Sequence, residues 1–215
     1  MIFELDKVNS IANHFLAELR DIKVQKDSLR FRKNLERLGE VMAYEVSKSL
    51  TFKSAEVKTV LGVKSTKLLL EQPVLVTILR AGLPFYNGFL NFFDKAHSGF
   101  IGAYRVESEQ KNISVSSDYI ATGDLSEKDL IIVDTMLATG KSLVSTVEQL
   151  LKNGSPKSIH LVAAIAAPEG ITYIKQNLNE KFSIWVASID ERLNENAYII
   201  PGLGDAGDLC YGDKL

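Results

Sequence analysis

Val74-Leu75-Val76-Thr77-Ile78-Leu79 is a short, nearly continuous apolar run, rich in β-branched residues. Three similar runs follow at 130–133, 159–164 and 184–187, and 100–105 reads as a further strand. Between them lie segments with helical spacing: 84–93, 142–152 and 168–178. A strand loses its polar alternation when both of its faces are buried. Short apolar strands alternating with helices reach that state as a parallel sheet covered on both sides. The expected fold class is therefore α/β. In such sheets ligands sit beyond the carboxyl ends of the strands, so the residues just after each run are where chemistry is to be sought.

Upstream, 8–20 and 34–50 read as an N-terminal helical segment; in the second stretch Leu35, Leu38, Val41, Met42, Val46 and Leu50 recur at three-to-four spacing. Residues 54–61 read as either a helix or a strand. No internal repeat or Pro/Gly/Ser-rich linker interrupts the 215 residues, a length that suits one domain, with its core over about 70–190 and a C-terminal segment of different character over about 189–215. At 46% hydrophobic and 24% charged the composition is that of an ordinary globular protein. With 25 basic and 27 acidic residues the net charge is −2, which argues against a nucleic-acid or membrane partner and requires any anionic ligand to be held by a local site. The single cysteine, Cys210, excludes an internal disulfide and a cysteine-based zinc site, as suits the reducing cytoplasm. The opening Met1-Ile2-Phe3-Glu4-Leu5-Asp6 lacks the basic and apolar regions of a secretory signal, and no stretch approaches the ~20 apolar residues of a membrane span.

Two strand ends carry chemistry. After the first run comes Arg80-Ala81-Gly82-Leu83-Pro84: an arginine beside a glycine that lets backbone approach a ligand suits a pyrophosphate or carboxylate, though a surface turn with a solvated arginine reads the same way. After 130–133 comes Asp134-Thr135-Met136-Leu137-Ala138-Thr139-Gly140-Lys141-Ser142, a carboxylate followed by a small-residue loop that opens a helix. Backbone N–H groups at such a start, with the Thr139 and Ser142 hydroxyls, can cradle a phosphate, and Asp134 can accept bonds from two adjacent ribose hydroxyls. A nucleotide triphosphatase P-loop is excluded, since the glycine it needs five positions before Gly140 is Thr135.

Near the C-terminus, Tyr198-Ile199-Ile200-Pro201-Gly202-Leu203-Gly204-Asp205-Ala206-Gly207-Asp208 places three glycines in six positions, which makes a regular helix or strand costly. A loop whose backbone groups face the edge of a flat base would explain them. His14, His97 and His160 neighbour none of these motifs and read as structural.

The 134–142 stretch resembles the phosphoribosyl pyrophosphate (PRPP) loop of type I phosphoribosyltransferases. Arg80-Ala-Gly-Leu83, Tyr104-Arg105, Ala167-Pro-Glu-Gly170, Ser188-Ile-Asp190 and the glycine-rich 198–208 run resemble the uracil-specific branch of that family. The resemblance covers about residues 30–208. It implies a parallel-sheet core with helices on both faces and a C-terminal hood loop. It also implies transfer of the phosphoribosyl group of PRPP to uracil, giving UMP and pyrophosphate. Arg80 and Arg105 would bind pyrophosphate, and Asp134, Thr135, Met136, Leu137, Ala138, Thr139, Gly140, Lys141 and Ser142 would hold the ribose and 5′-phosphate. Ile199, Gly204, Asp205 and Ala206 would form the uracil site, with Ile199, Gly204 and Ala206 reading the base through backbone groups. Asp205 would also contact PRPP through Mg²⁺. Asp134, Arg105 and Asp205 would be the catalytic set. The family usually reads Asp-Pro-Met-Leu-Ala-Thr-Gly-Gly-Ser; here Thr135 and Lys141 stand in the second and eighth places. A homodimer or larger homo-oligomer is implied, and in some relatives a purine-nucleotide activator. Residues 106–123 read equally as a flap over the site or as a β-arm for dimer contact. A chain that binds PRPP and pyrimidine for regulation without efficient turnover is the alternative from another class.

Overall fold

A computed structural model describes residues 1–106 and 114–213, with side chains described outside 103–118. Its centre is a seven-stranded sheet of β1 (Ile2–Glu4), β4 (Val74–Leu79), β5 (His97–Val106), β6 (Ser114–Ala121), β7 (Asp129–Leu137), β8 (Ser158–Ala166) and β9 (Phe182–Ile189). The order across the sheet is β1-β9-β8-β7-β4-β5-β6, and neighbours run parallel except β5 and β6. The expected parallel core is in place, with one antiparallel edge where β6 pairs back on β5. That edge falls in the 106–123 stretch read as a flap or an arm, of which 107–113 lies outside the described residues.

The four apolar runs have no polar face because successive residues feed two cores. Leu75, Ile131, Val133, Val162 and Trp185 pack with Leu16 and Leu19 of α1 (Ala12–Arg20), Leu35 and Leu38 of α2 (Ser28–Ser47), and Phe85 and Phe89 of α3 (Gly82–Phe92). Val76, Ile78, Leu130, Ile132, Leu161 and Ile184 turn the other way, onto Leu143, Val147 and Leu150 of α4 (Lys141–Leu150) and Ile171 and Ile174 of α5 (Pro168–Asn177). Period-two alternation with both faces covered gives this double core.

At four places the structure departs from the sequence expectations or resolves them. Helix α2 starts earlier than residue 34, because Asp27 caps it by accepting a 3.0 Å bond from the Arg30 N–H. The ambiguous 54–61 stretch belongs to a two-stranded antiparallel hairpin, β2 (Phe52–Lys58) with β3 (Val63–Leu69). Strand β7 continues past Val133 to Leu137. Finally, β10 (Arg192–Leu193) and β11 (Ile199–Ile200) form a short antiparallel pair, and the expected C-terminal loop closes with a helix, α6 (Ala206–Tyr211).

Candidate active site

From β4 the chain crosses by α3 to β5 on one side, whereas β7 lies on the other side and feeds α4 on the opposite face. Strand order therefore reverses between β4 and β7, and a crevice opens at such a switch point beyond the carboxyl ends of the strands. Thr77 pairs with Val133 across this line, and its Oγ1 donates a 3.0 Å bond to the Val133 carbonyl. Asp134 follows directly on Val133, and Arg80 stands three residues beyond Thr77, just past the end of β4.

Past Asp134 the sheet changes its facing. Val133 and Met136 both join the first core, and so do Ala164 and its neighbour Ile165; Leu137 and Ala166 then face the second. The alternation slips together on β7 and β8 at Thr135 and Ala164. Thr135 and Leu137 are buried, so of the nine loop residues expected to hold PRPP these two turn their side chains into protein and have only backbone to offer a ligand. Met136, Ala138, Thr139 and Ser142 are half-buried, and Lys141 is exposed. The free loop is thus 138–140, tighter than the sequence implied.

Gly140 caps α4 at φ +78°, and a side chain there would meet the Gly170 carbonyl at 2.7 Å. In return a Cβ on Gly170 would stand 2.3 Å from the Ala138 carbonyl. The Ala167 N–H also bonds the Leu137 carbonyl at 2.9 Å. The turn that opens α5 therefore backs the 138–140 loop with no side chain between them, which is the place of Ala167-Pro168-Glu169-Gly170 in the candidate site. Inside the loop, Thr139 Oγ1 accepts from the Lys141 N–H at 3.4 Å. The Asp134 carboxylate accepts from its own neighbour's N–H, Thr135, at 2.7 Å, and burial outweighs that bond to push its pKa up to about 6. At neutral pH it remains mostly ionised, an acceptor ready for hydroxyl donors.

The hood is built from the other end of the chain. Glu191 N–H bonds the Ile200 carbonyl at 2.9 Å and Asn194 N–H the Tyr198 carbonyl at 2.9 Å, extending the β10–β11 pair. Glu169 Oε1 accepts from the Leu193 N–H at 2.9 Å, tying this pair to the turn behind the phosphate loop. Ile199 and Ala206 are buried, Gly204 is exposed and Asp205 half-buried. Asp205 caps α6, its Oδ1 accepting from Gly207 N–H at 2.8 Å and Asp208 N–H at 3.1 Å. Arg80 reaches this helix from below: its Nη2 lies 3.3 Å from Asp208 Oδ1. Arg80, Asp205 and Asp208 thus converge. Arg105 continues β5, whose Gly102 pairs with Leu79, but its side chain is outside the described residues.

Among the described residues no group of three or more acidic, histidine or cysteine side chains could hold a metal ion. Mg²⁺ is commonly bound by one or two carboxylates together with substrate phosphates. A capping carboxylate beside Arg80 fits a cation carried on a pyrophosphate and does not fit a cage made of protein alone.

The histidines stay out of the site. His160 lies at the amino end of β8, where Nδ1 accepts from the Trp185 indole N–H at 3.1 Å and Nε2 faces Ser158 Oγ at 2.9 Å, and burial lowers its pKa. His14 and His97 are exposed on α1 and at the start of β5. Two arginines that the sequence reading missed bind the hood: Arg32 donates to the Cys210 carbonyl at 2.6 Å, and Arg20 pairs with Asp190. Nothing in their helical context marks them, since a lone arginine on a helix ordinarily reads as solvated surface.

No helix among the described residues is long and apolar enough to cross a membrane. The uracil phosphoribosyltransferase of Porphyromonas gingivalis is 46% identical over 214 residues, covering 100% of this chain and 99% of that one. The AQ2163 protein of Aquifex aeolicus superposes with a TM-score of 0.87 at 37% identity, covering 99% and 98% of the two chains. A hypoxanthine phosphoribosyltransferase of Staphylococcus aureus, at 16% identity and a TM-score of 0.51 over 75% of this chain and 76% of its own, shares the fold. The family model for uracil phosphoribosyltransferase matches residues 8–213, and the chain belongs to the uracil phosphoribosyltransferase family.

Proposed function

We propose that this chain transfers the phosphoribosyl group of PRPP to uracil, producing UMP and pyrophosphate in pyrimidine salvage, with Mg²⁺ accompanying the pyrophosphate. The observation that carries the reading is the convergence of a buried-edge carboxylate, a phosphate loop and a glycine-rich hood at one switch point. In this reaction the bond from the anomeric carbon to the ring nitrogen of uracil forms as the bond to pyrophosphate oxygen breaks, and the nitrogen's proton is released. Positive charge develops on the ribose and negative charge on the leaving group.

Asp134, ionised at neutral pH, would hold the two ribose hydroxyls and tolerate the ring's cationic character. The N–H groups of 138–141 and the Thr139 and Ser142 hydroxyls would hold the 5′-phosphate. Arg80 and Arg105 would meet the departing pyrophosphate, each charge-assisted bond contributing roughly 1.5–3 kcal/mol. Bound Mg²⁺ would neutralise part of the same charge. Ile199, Gly204 and Ala206 would present backbone groups to uracil, and their fixed geometry supports selection of one base. Assembly into a homodimer or larger homo-oligomer belongs to this reading, supported by the fully exposed Val60 and Leu61 at the tip of the β2–β3 hairpin.

The test is formation of UMP from uracil and PRPP with Mg²⁺, followed by chromatography. No UMP under conditions where both substrates bind would overturn the proposal.

A further inference from the structure

We infer that Arg20 is a positioning residue for the base site: with Asp190 it clamps both backbone polar groups of Gly202 and so sets the segment 199–206. The inference rests on the function proposed above. Arg20 is the last residue of α1, and Asp190 is the first residue beyond β9. Arg20 Nη1 donates to Asp190 Oδ2 at 2.7 Å and Nη2 donates to Oδ1, a two-pronged pair with the carboxylate side chain only 4% exposed. The same two side chains grip one glycine. Asp190 Oδ2 accepts from the Gly202 N–H at 2.8 Å, and Arg20 Nη1 donates to the Gly202 carbonyl at 2.9 Å.

Each side of the clamp is anchored. The Asp190 N–H bonds the Ala166 carbonyl at 2.8 Å, fixing it to the sheet, and the Arg20 carbonyl accepts from Gln25 Nε2 at 3.0 Å, fixing the end of α1. Gly202 itself sits at φ +62° in a turn so tight that a Cβ would meet the Ile199 carbonyl at 2.1 Å. On one side of it lie Ile199 and Ile200 in β11; on the other lie Gly204, Asp205 and Ala206, which open α6. Among them Ile199, Gly204, Asp205 and Ala206 are the residues assigned to uracil. A base read by backbone depends on the orientation of the peptides that read it, and a displacement of about 1 Å can cost about a hundredfold in rate. Arg20 makes no bond to the phosphate loop among the contacts described, so PRPP binding should survive its loss.

A pair that served stability alone could be exchanged for apolar side chains of similar volume with little loss, whereas removing one partner strands a buried charge. Gly202 separates the two cases, because an apolar pair leaves its N–H and carbonyl without these partners. The experiment is steady-state kinetics and thermal melting of Arg20→Met, Arg20→Lys, Asp190→Asn and the double variant Arg20→Met/Asp190→Leu. Wild-type turnover with uracil is measured first, so that failure there counts against the proposed function and not against the clamp. The single variants should raise KM for uracil by about tenfold while KM for PRPP stays within about twofold, Arg20→Lys being intermediate. The double variant should recover part of the melting temperature lost in the single variants, the unpartnered Gly202 groups keeping it below wild type, and should keep the raised KM for uracil. The inference is overturned if both KM values move together, if a folded variant keeps the wild-type uracil KM, or if the double variant restores uracil KM along with stability. Should Arg20→Met fail to fold, Arg20→Lys and the double variant decide the matter.

Discussion

The Arg80 guanidinium stands 3.3 Å from the Asp208 carboxylate and joins the end of β4 to the first turn of α6 across 128 positions of sequence. With side chains 40% and 35% exposed, this pair contributes no more than about 1 kcal/mol to stability. Its importance lies in where it holds Arg80, between the end of β4 and the hood, where the proposed function needs it for pyrophosphate. Asp208→Asn should therefore leave the melting temperature nearly unchanged. Arg80→Ala should lower kcat/KM for PRPP by about 10- to 100-fold, the loss of one charge-assisted bond. Initial-rate kinetics against PRPP, paired with melting curves, check both.

Asp134 sets activity against stability. Its folded pKa of about 6 lies above the ordinary carboxyl value of 3.8, with burial as the first cause. Between those values the folded chain holds a proton that the unfolded chain has lost. Stability therefore falls as pH rises through that window, and the cost is fully present above about pH 6. Asp134→Asn should stabilise the unliganded protein by about 1–2 kcal/mol at pH 7.5, after discounting for partial exposure, and by nearly nothing at pH 4. The same variant should lose at least about 100-fold in kcat/KM for PRPP. In the wild type, kcat/KM for PRPP should decline as pH drops through about 6, the value of the free enzyme's required carboxylate.

The interlocked Gly140 and Gly170 leave the phosphate loop no room for a methyl group. Gly140→Ala imposes a side chain at φ +78° and a 2.7 Å approach to the Gly170 carbonyl. It should cost about 1–3 kcal/mol of stability and raise KM for PRPP more than KM for uracil. Chemical denaturation and two-substrate kinetics report the two effects separately.

Cys210 should be inert in the folded protein. It is fully buried in the first core, and burial pushes its thiol up to about 12. Thiolate is the reactive form, so a thiol reagent at pH 8 should label the native chain very slowly and the denatured chain at once. Mass spectrometry before and after denaturation tests this.

Where burial on two faces stamps the residues, the fold was legible from the sequence. The runs at 74–79, 130–133, 159–164 and 184–187 read correctly as strands because nearly every position is buried, most of them against one core or the other. The true end of β7 at Leu137 was not legible, because Asp134 and Thr135 break the apolar run although Thr135 is buried. The β2–β3 hairpin left 54–61 open between helix and strand, since almost every residue in it is exposed and no face alternates. Helix α6 was hidden by Gly207; its start is satisfied locally by the Asp205 cap, and its end by Arg32 on the Cys210 carbonyl, a contact that spans 178 positions. Of the candidate site, Arg80 and Asp134 stood out from the sequence because each follows an apolar run, and Gly140 because it opens a helix after a small-residue loop. Arg20 did not, because its partners lie 170 and 182 positions away.

The most direct measurement is pyrophosphate release from PRPP and Mg²⁺ with uracil, set against cytosine, hypoxanthine and orotate, in the wild type and in Asp134→Ala. Release with uracil alone, abolished in the variant, is the expected result. Equal release with another base, or binding of uracil and PRPP by calorimetry without any turnover, would contradict it.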